Sequence, residues 1–359
     1  VSGTRLRIVA SGDYLQTIGP DSPADLGFGA FDDGPFDLTL LPAAPQTAAV
    51  TPESLTGADV LLMLGQYLPE ASVAPVAGRL AVVARAGVGI DKIDVDALTR
   101  HGILLFNVPD ALTEGTAAGA LALMLAASRH IVAMDRLTRE GRWDDRQHHR
   151  GREIYGKTLG IVGPGRIGAE LARLVGPFRM RILAYSPRLD ETRAARMGAR
   201  AVPLDRLLAE SDFVAICAPL TDETNCMIGA AELARMRRDA VLVNVGRGPI
   251  VDQTALVDAL RDRRIAAAGL DVFASQPLLP GDPLCGLDNV VLSPHAICDT
   301  YELRRGVLTR VAGELAVFAN GGLPTAIVNP AVLDDPAFRA KRRRTQGGHS
   351  PTAPSSIPR

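Results

Sequence analysis

The stretch TLGIVGPGRIGAELARLV, residues 158–175, constrains the fold more than any other part of this chain. TLGIV is an apolar run of strand length, and IGAELARLV has helical periodicity. GPGRIG must turn the chain from one into the other. A lone GxGxxG says little. One that closes an apolar strand and opens a helix is the pattern of a dinucleotide-binding βαβ unit. Gly163 permits the tight turn, Gly165 lets the backbone approach a pyrophosphate, and Gly168 lets the helix pack on the sheet. The phosphates would rest at the helix start, Arg166 and Ile167, where free N–H groups and the helix dipole favour anions. A glycine turn with no ligand is the competing reading, and the flanking pattern argues against it.

The rest of the chain repeats the theme. Short apolar runs at residues 181–186, 212–219, 240–246, 266–273 and 289–295 alternate with helical segments, as in a parallel sheet covered on both faces. Earlier runs at 5–11, 59–64, 80–87 and 103–109 read as further strands, and residues 21–35 as a long loop. Residues 113–130 predict a long buried helix, with Thr116, Gly119 and Ala120 keeping one face slim. A last helix over 301–320 ends at a Gly-Gly cap. Beyond 330 the pattern weakens. KRRR at 341–344 and GGHSPTAPSSIPR predict a flexible, solvated tail over 331–359.

A chain of 359 residues suggests two domains. A formal net charge of -1 gives no electrostatic case for a nucleic-acid partner. The four cysteines form no CxxC pair, histidines are few, and no metal site is expected. The N-terminus lacks a signal-peptide pattern, and the apolar run 117–127 is too short to span a bilayer. The expectation is a cytoplasmic protein with no membrane partner.

Three strand ends carry candidate chemistry. NVGRG places Arg247 between glycines just past a strand, and a guanidinium fork suits a carboxylate. SPHAI places His295, a candidate acid/base, past another strand. DVFASQP places Gln276 past a third. In a parallel sheet these ends gather at one edge, where such folds bind ligands. Reduction of an alpha-keto acid fits: Arg247 holds the carboxylate and His295 gives the proton. After the strand 181–186, where an NAD site usually has a carboxylate for the ribose, stand Ser186 and Arg188. That favours NADP over NAD, since Arg188 would pair with a 2′-phosphate.

These motifs, with CAPLTDETNCMI at 217–228 and RAGVGIDKIDVDAL at 85–98, follow one another as they do in the D-isomer-specific 2-hydroxyacid dehydrogenase family. The chain resembles that family over roughly residues 80–329, and VPDALTEGTAAGALALMLAASR resembles its glyoxylate/hydroxypyruvate reductase branch. The resemblance implies an α/β fold of two Rossmann-like domains with parallel sheets. The cofactor domain, 111–295, would be inserted into a discontinuous substrate domain, 1–110 and 296–330. It implies Arg247 as the substrate arginine, His295 as the acid/base, and Gly87 and Val88 as the amides for the substrate carboxylate. It implies Thr116 on the cofactor phosphate side and Asp271 near the nicotinamide carboxamide. Ala218, Pro219, Thr224, Val245 and His295 itself would complete the cofactor contacts. A homodimer through the cofactor domain is implied as well.

Gln276 departs from the family, which usually has a glutamate there. An amide can orient the imidazole but cannot stabilise the imidazolium. His295 is therefore expected to titrate lower than in glutamate-bearing relatives, and each pKa unit is worth about 1.4 kcal/mol. Glutamine is found in the formate dehydrogenase branch, whose reaction needs no general base. Formate oxidation is the alternative activity, and a non-catalytic NAD(H) sensor or corepressor-like protein is the alternative from another class.

Overall fold

A computed structural model describes residues 5–18 and 26–346. The chain forms two compact units. One is built from residues up to Leu112 and from Thr300 onward, the other from Thr113–Asp299.

The first unit carries strands β1 (Leu6–Ala10), β2 (Phe36–Leu40), β3 (Val60–Met63), β4 (Val82–Arg85) and β5 (Leu104–Asn107). They pair in parallel in the order β2-β1-β3-β4-β5. The central strand β3 is apolar and buried at every position because both faces are covered. Alternate residues enter two different cores: Val60, Leu62, Val82, Ala84 and Phe106 face one, and Leu61, Met63, Val83 and Leu105 the other. The first core is closed by helix Tyr301–Ala319, which inserts Val307, Val311, Leu315 and Phe318. Thr300 caps that helix, its hydroxyl accepting from the Leu303 N–H.

The second unit carries β6 (Thr158–Val162), β7 (Arg181–Tyr185), β8 (Ala199–Ala201), β9 (Phe213–Ile216), β10 (Val241–Asn244), β11 (Ala267–Leu270) and β12 (Val290–Leu292). They form one parallel sheet in the order β12-β11-β10-β9-β6-β7-β8. The order reverses at β6, so the crevice between the ends of β6 and β9 is the switch point where such sheets bind ligands. Helix Thr113–Ser128 packs Ala117, Ala120, Leu123, Met124 and Ala127 into one core of this sheet. Gly269 of β11 has no room for a side chain, since a Cβ would lie 2.9 Å from Leu123 Cβ.

Several expectations change. The long helix stops at Ser128, two residues short, because His130 turns left-handed at φ 53° before a second helix, Ile131–Arg139. Pro109–Ser128 is long and apolar enough to cross a membrane by length and composition, and its residues Ala117, Ala120, Leu123, Met124 and Ala127 are buried in the core of the sheet, as expected of a buried helix. Within the expected 21–35 loop, Phe28 and Phe31 are buried in a short 3-10 turn. The expected tail is the largest correction. Helix Pro336–Thr345 is capped by Asp335 and buries Phe338, Lys341 and Thr345. Lys341 Nζ donates to the carbonyls of Ala77 at 3.0 Å and His101 at 2.8 Å. Burial lowers its pKa to about 8. Arg342 donates to Gly322 O at 3.1 Å and Arg344 to Gly78 O at 3.2 Å, so Lys341, Arg342 and Arg344 fasten this helix to its own unit. GGHSPTAPSSIPR lies outside the described residues.

Candidate active site

The glycine-rich turn follows β6, and each glycine there has a distinct geometry. Gly163 sits at φ 79°, and a Cβ on it would lie 2.5 Å from Ala218 Cα in the loop after β9. The turns on the two sides of the switch point are thus in contact. Gly168 would collide with Ile161, 2.8 Å away, as the helix Arg166–Leu174 crosses β6. Gly165 has nothing within 4 Å of where a Cβ would stand. That open approach, beside a helix start, has the shape a pyrophosphate requires.

Ser186 and Arg188 follow β7. The Ser186 carbonyl accepts from Leu189 N–H at 3.1 Å, and Arg188 is exposed. The Glu223 carboxyl lies below its ordinary range, chiefly through the Thr221 hydroxyl and its own backbone amide, with a smaller contribution from the Arg188 charge. Ala218 is buried, and Pro219 is exposed beside it. Thr224 closes its own loop, its hydroxyl donating to Pro219 O at 2.7 Å and accepting from Thr221 N–H at 2.8 Å. Val245 is buried.

Arg247 follows β10, half-buried, with Nη1 donating to Gly246 O at 2.9 Å. Its flanking glycines are required by packing: a Cβ on Gly246 would lie 2.6 Å from Ala218 O, and one on Gly248 would lie 1.9 Å from the carbonyl of Phe273. The Arg247 turn is clamped between its two neighbours. Asn244, buried at the end of β10, fixes the turn from inside. Its Nδ2 donates to Arg247 O and its Oδ1 accepts from Gly246 N–H, both at 3.0 Å. Sequence reasoning quoted Asn244 within NVGRG without giving it a role. Gln253 was missed entirely. It accepts from Ala274 N–H at 2.9 Å and donates to Asp282 at 3.0 Å, tying down the loop that carries Gln276.

His295 follows β12, exposed, in a left-handed conformation at φ 56°. Its Nδ1 lies 2.9 Å from Gln276 Oε1. An amide oxygen only accepts, so Nδ1 is the donor and Nε2 is left for proton transfer. Asp271, at the end of β11, holds the turn that projects His295. Its Oδ1 accepts from the Ser293 hydroxyl at 2.7 Å and from the N–H groups of Ala296 at 2.9 Å and Ile297 at 3.0 Å. Burial raises the Asp271 pKa against these bonds. The same turn rests on the helix Thr113–Ser128, where a Cβ on Gly119 would lie 2.7 Å from Ile297. Thr116 is buried and bonded to the Cys298 thiol, whose pKa burial raises.

The carboxyl edge of one sheet therefore gathers the open Gly165 turn, the braced Arg247 and the His295–Gln276 pair. Gly87 and Val88 lie in the other unit, past the end of β4. Gly87 is buried at φ 159°, and Val88 is exposed.

Comparison with known proteins gives a consistent result. The NAD binding domain of the D-isomer specific 2-hydroxyacid dehydrogenases matches residues 121–296. A glyoxylate reductase of Korarchaeum cryptofilum is 46% identical over 293 residues, covering 81% of this chain and 88% of that protein. A glyoxylate reductase of Pyrococcus furiosus is 42% identical over 287 residues, covering 78% and 85%. The crystal structure of an NADPH-dependent glyoxylate/hydroxypyruvate reductase from Sinorhizobium meliloti superposes with a TM-score of 0.75 at 28% identity, covering 91% of this chain and 99% of that one.

Proposed function

Since the chain belongs to the D-isomer-specific 2-hydroxyacid dehydrogenase family and is an NAD(P)-dependent 2-keto acid reductase, we propose that it reduces glyoxylate or hydroxypyruvate with Arg247 and His295 as its working residues. The observation that carries this reading is the 2.9 Å bond between His295 Nδ1 and Gln276, made at the same sheet edge as Arg247. Arg247 would take the substrate carboxylate through its guanidinium fork. Gly87 and Val88 are the amides that the family resemblance assigns to that group, and the Gly87 N–H donates to Arg85 O at 2.9 Å in this structure. His295 would give the Nε2 proton to the carbonyl oxygen in reduction and take it back in oxidation. Asp271 and Gln276 would hold the imidazole, and Asn244 the arginine. The dinucleotide would lie along Gly163–Gly168, with Ala218, Pro219, Thr224, Val245 and Thr116 around it. When bound, it supplies the hydride.

NADP is the proposed preference. Ser186 offers no carboxylate to repel a 2′-phosphate, and Arg188 is exposed beside it. We also propose a cytoplasmic homodimer through the second unit, supported by the exposed Ile131, Val132 and Trp143. The mass in solution decides the assembly.

Parallel initial rates with glyoxylate and either NADPH or NADH test the function. Turnover with both, faster with NADPH, is the expected result. Equal rates or faster turnover with NADH would remove the role given to Arg188. Rapid formate oxidation with no keto acid turnover would favour the alternative that Gln276 suggests.

Gln276→Glu provides a second test. It puts a carboxylate where the amide oxygen now stands, and an opposite charge at that range favours the imidazolium. Reduction needs the protonated ring, so the alkaline limb of kcat/KM should move up, by about one pH unit in this exposed setting. An unmoved limb would mean that His295 is not the group titrating in the profile.

A further inference from the structure

The five-stranded sheet of the first unit has a switch point of its own. β2 and β3 flank β1 on opposite sides, so the turns after β1 and β3 meet at the carboxyl edge. These turns are stitched together by buried side chains that the mechanism above does not use. Asp13 is 0% exposed. Its Oδ1 accepts from the Ser11 hydroxyl and its Oδ2 from Gly65 N–H, both at 2.6 Å. The Ser11 oxygen also accepts from Leu64 N–H at 3.0 Å. Buried Gln66 reaches back the other way, its Oε1 accepting from Gly12 N–H at 3.0 Å. Lys92 Nζ donates to Gly65 O at 2.9 Å. A carboxylate is a costly way to fill a core, and an apolar side chain would fill the space with less penalty. What Asp13 adds is geometry, because its two oxygens hold two separate turns at fixed distances.

The turn so held is next to the proposed carboxylate amides. β3 and β4 are paired, and Ala86 N–H donates to Met63 O at 2.9 Å, which sets Leu64 and Gly65 beside Gly87 and Val88. Leu64 and Gly65 are half-exposed between buried neighbours. Gly65 has little room for a side chain: a Cβ would stand 3.0 Å from the Gln46 amide carbon and 3.2 Å from Asp13 Oδ2.

We propose that Asp13 is a positioning residue for the substrate, fixing the Leu64–Gly65 turn so that it contacts the side chain of a bound 2-keto acid. The inference rests on the assignment of Gly87 and Val88 to the substrate carboxylate.

Steady-state kinetics of Asp13→Ala, Asp13→Asn and Ser11→Ala test it, with glyoxylate and hydroxypyruvate at saturating cofactor. Asp13→Ala should raise KM for both keto acids about tenfold or more, the effect of losing a charge-assisted bond, with kcat within about threefold. Asparagine can turn its carbonyl to Gly65 and its amide to Ser11, so Asp13→Asn should recover most of that loss. Ser11→Ala should show a smaller shift in the same direction, and it keeps the test open should Asp13→Ala not fold. NADPH affinity, read by its fluorescence, should not change. Unchanged KM values in folded variants overturn the proposal, and so does a parallel loss of NADPH affinity. Stabilisation of the melting temperature by oxamate, an unreactive keto-acid mimic, reads the same edge without turnover. If the wild type binds oxamate but reduces no keto acid, loss of that binding in Asp13→Ala upholds the role of Asp13 while the proposed function falls. A wild type that neither binds oxamate nor turns over overturns both.

Discussion

Asparagine in place of His295 should lower kcat for keto acid reduction by roughly a hundred to ten thousandfold, the range expected for losing a positioned proton donor. Folding should be almost unaffected. The side chain is exposed, and Asp271 fixes the turn through backbone amides. KM for the keto acid should change far less than kcat, because carboxylate binding is assigned to Arg247 and the Gly87–Val88 amides. That split identifies a group acting in the transition state rather than in binding. The pH dependence of the residual rate should flatten as well, since the titrating acid is gone. A variant that keeps more than a tenth of wild-type kcat would move the proton to water or to another side chain. The left-handed backbone at His295 makes asparagine the sensible replacement, because it tolerates that conformation better than most residues.

Much of this arrangement was legible in the sequence, and the reason is local. GPGRIG, NVGRG and SPH each follow an apolar run, so strand, turn and chemistry are adjacent in the chain. A parallel sheet then brings every strand end to one edge. The legible part stops where neighbouring turns support each other. Nothing local in NVGRG says that Gly246 and Gly248 are pressed against Ala218 and Phe273, because those partners belong to other strand ends. Gln253 and Ser293 were passed over for the same reason, since their bonds join loops distant in sequence. Asp271 was read toward the cofactor, and its bonds to the turn around His295 were not foreseen. At the other end of the chain, KRRR has the composition of a solvated tail. Composition does not show that the Asp335-Pro336 pair caps a helix or that Phe338 and Lys341 have buried places waiting. β2 was missed because Pro35 and the charged Asp37 obscure a strand lying at the sheet edge.

Replacing Arg247 should have the other large effect, and its form separates charge from shape. Methionine at this position keeps much of the aliphatic bulk and removes the guanidinium. Each carboxylate bond from a charged donor is worth about 1.5–3 kcal/mol, so losing a two-bond fork should cut kcat/KM by roughly a hundredfold or more. Lysine restores the charge but not the paired donors, and should recover only part of the loss. Both KM and kcat should suffer. The arginine would hold the carboxylate in the ground state and also keep the carbonyl in line with His295 Nε2. The turn itself should survive either change. Asn244 grips the backbone of Gly246 and Arg247 rather than the guanidinium, and the glycines on both sides stay wedged. Melting temperature and NADPH affinity should therefore remain near wild type. A Lys variant equal to wild type would mean that a point charge suffices and that no fork is formed. A Met variant with normal kcat/KM would leave the Gly87 and Val88 amides as the whole carboxylate site, and Arg247 as a residue that shapes its own turn.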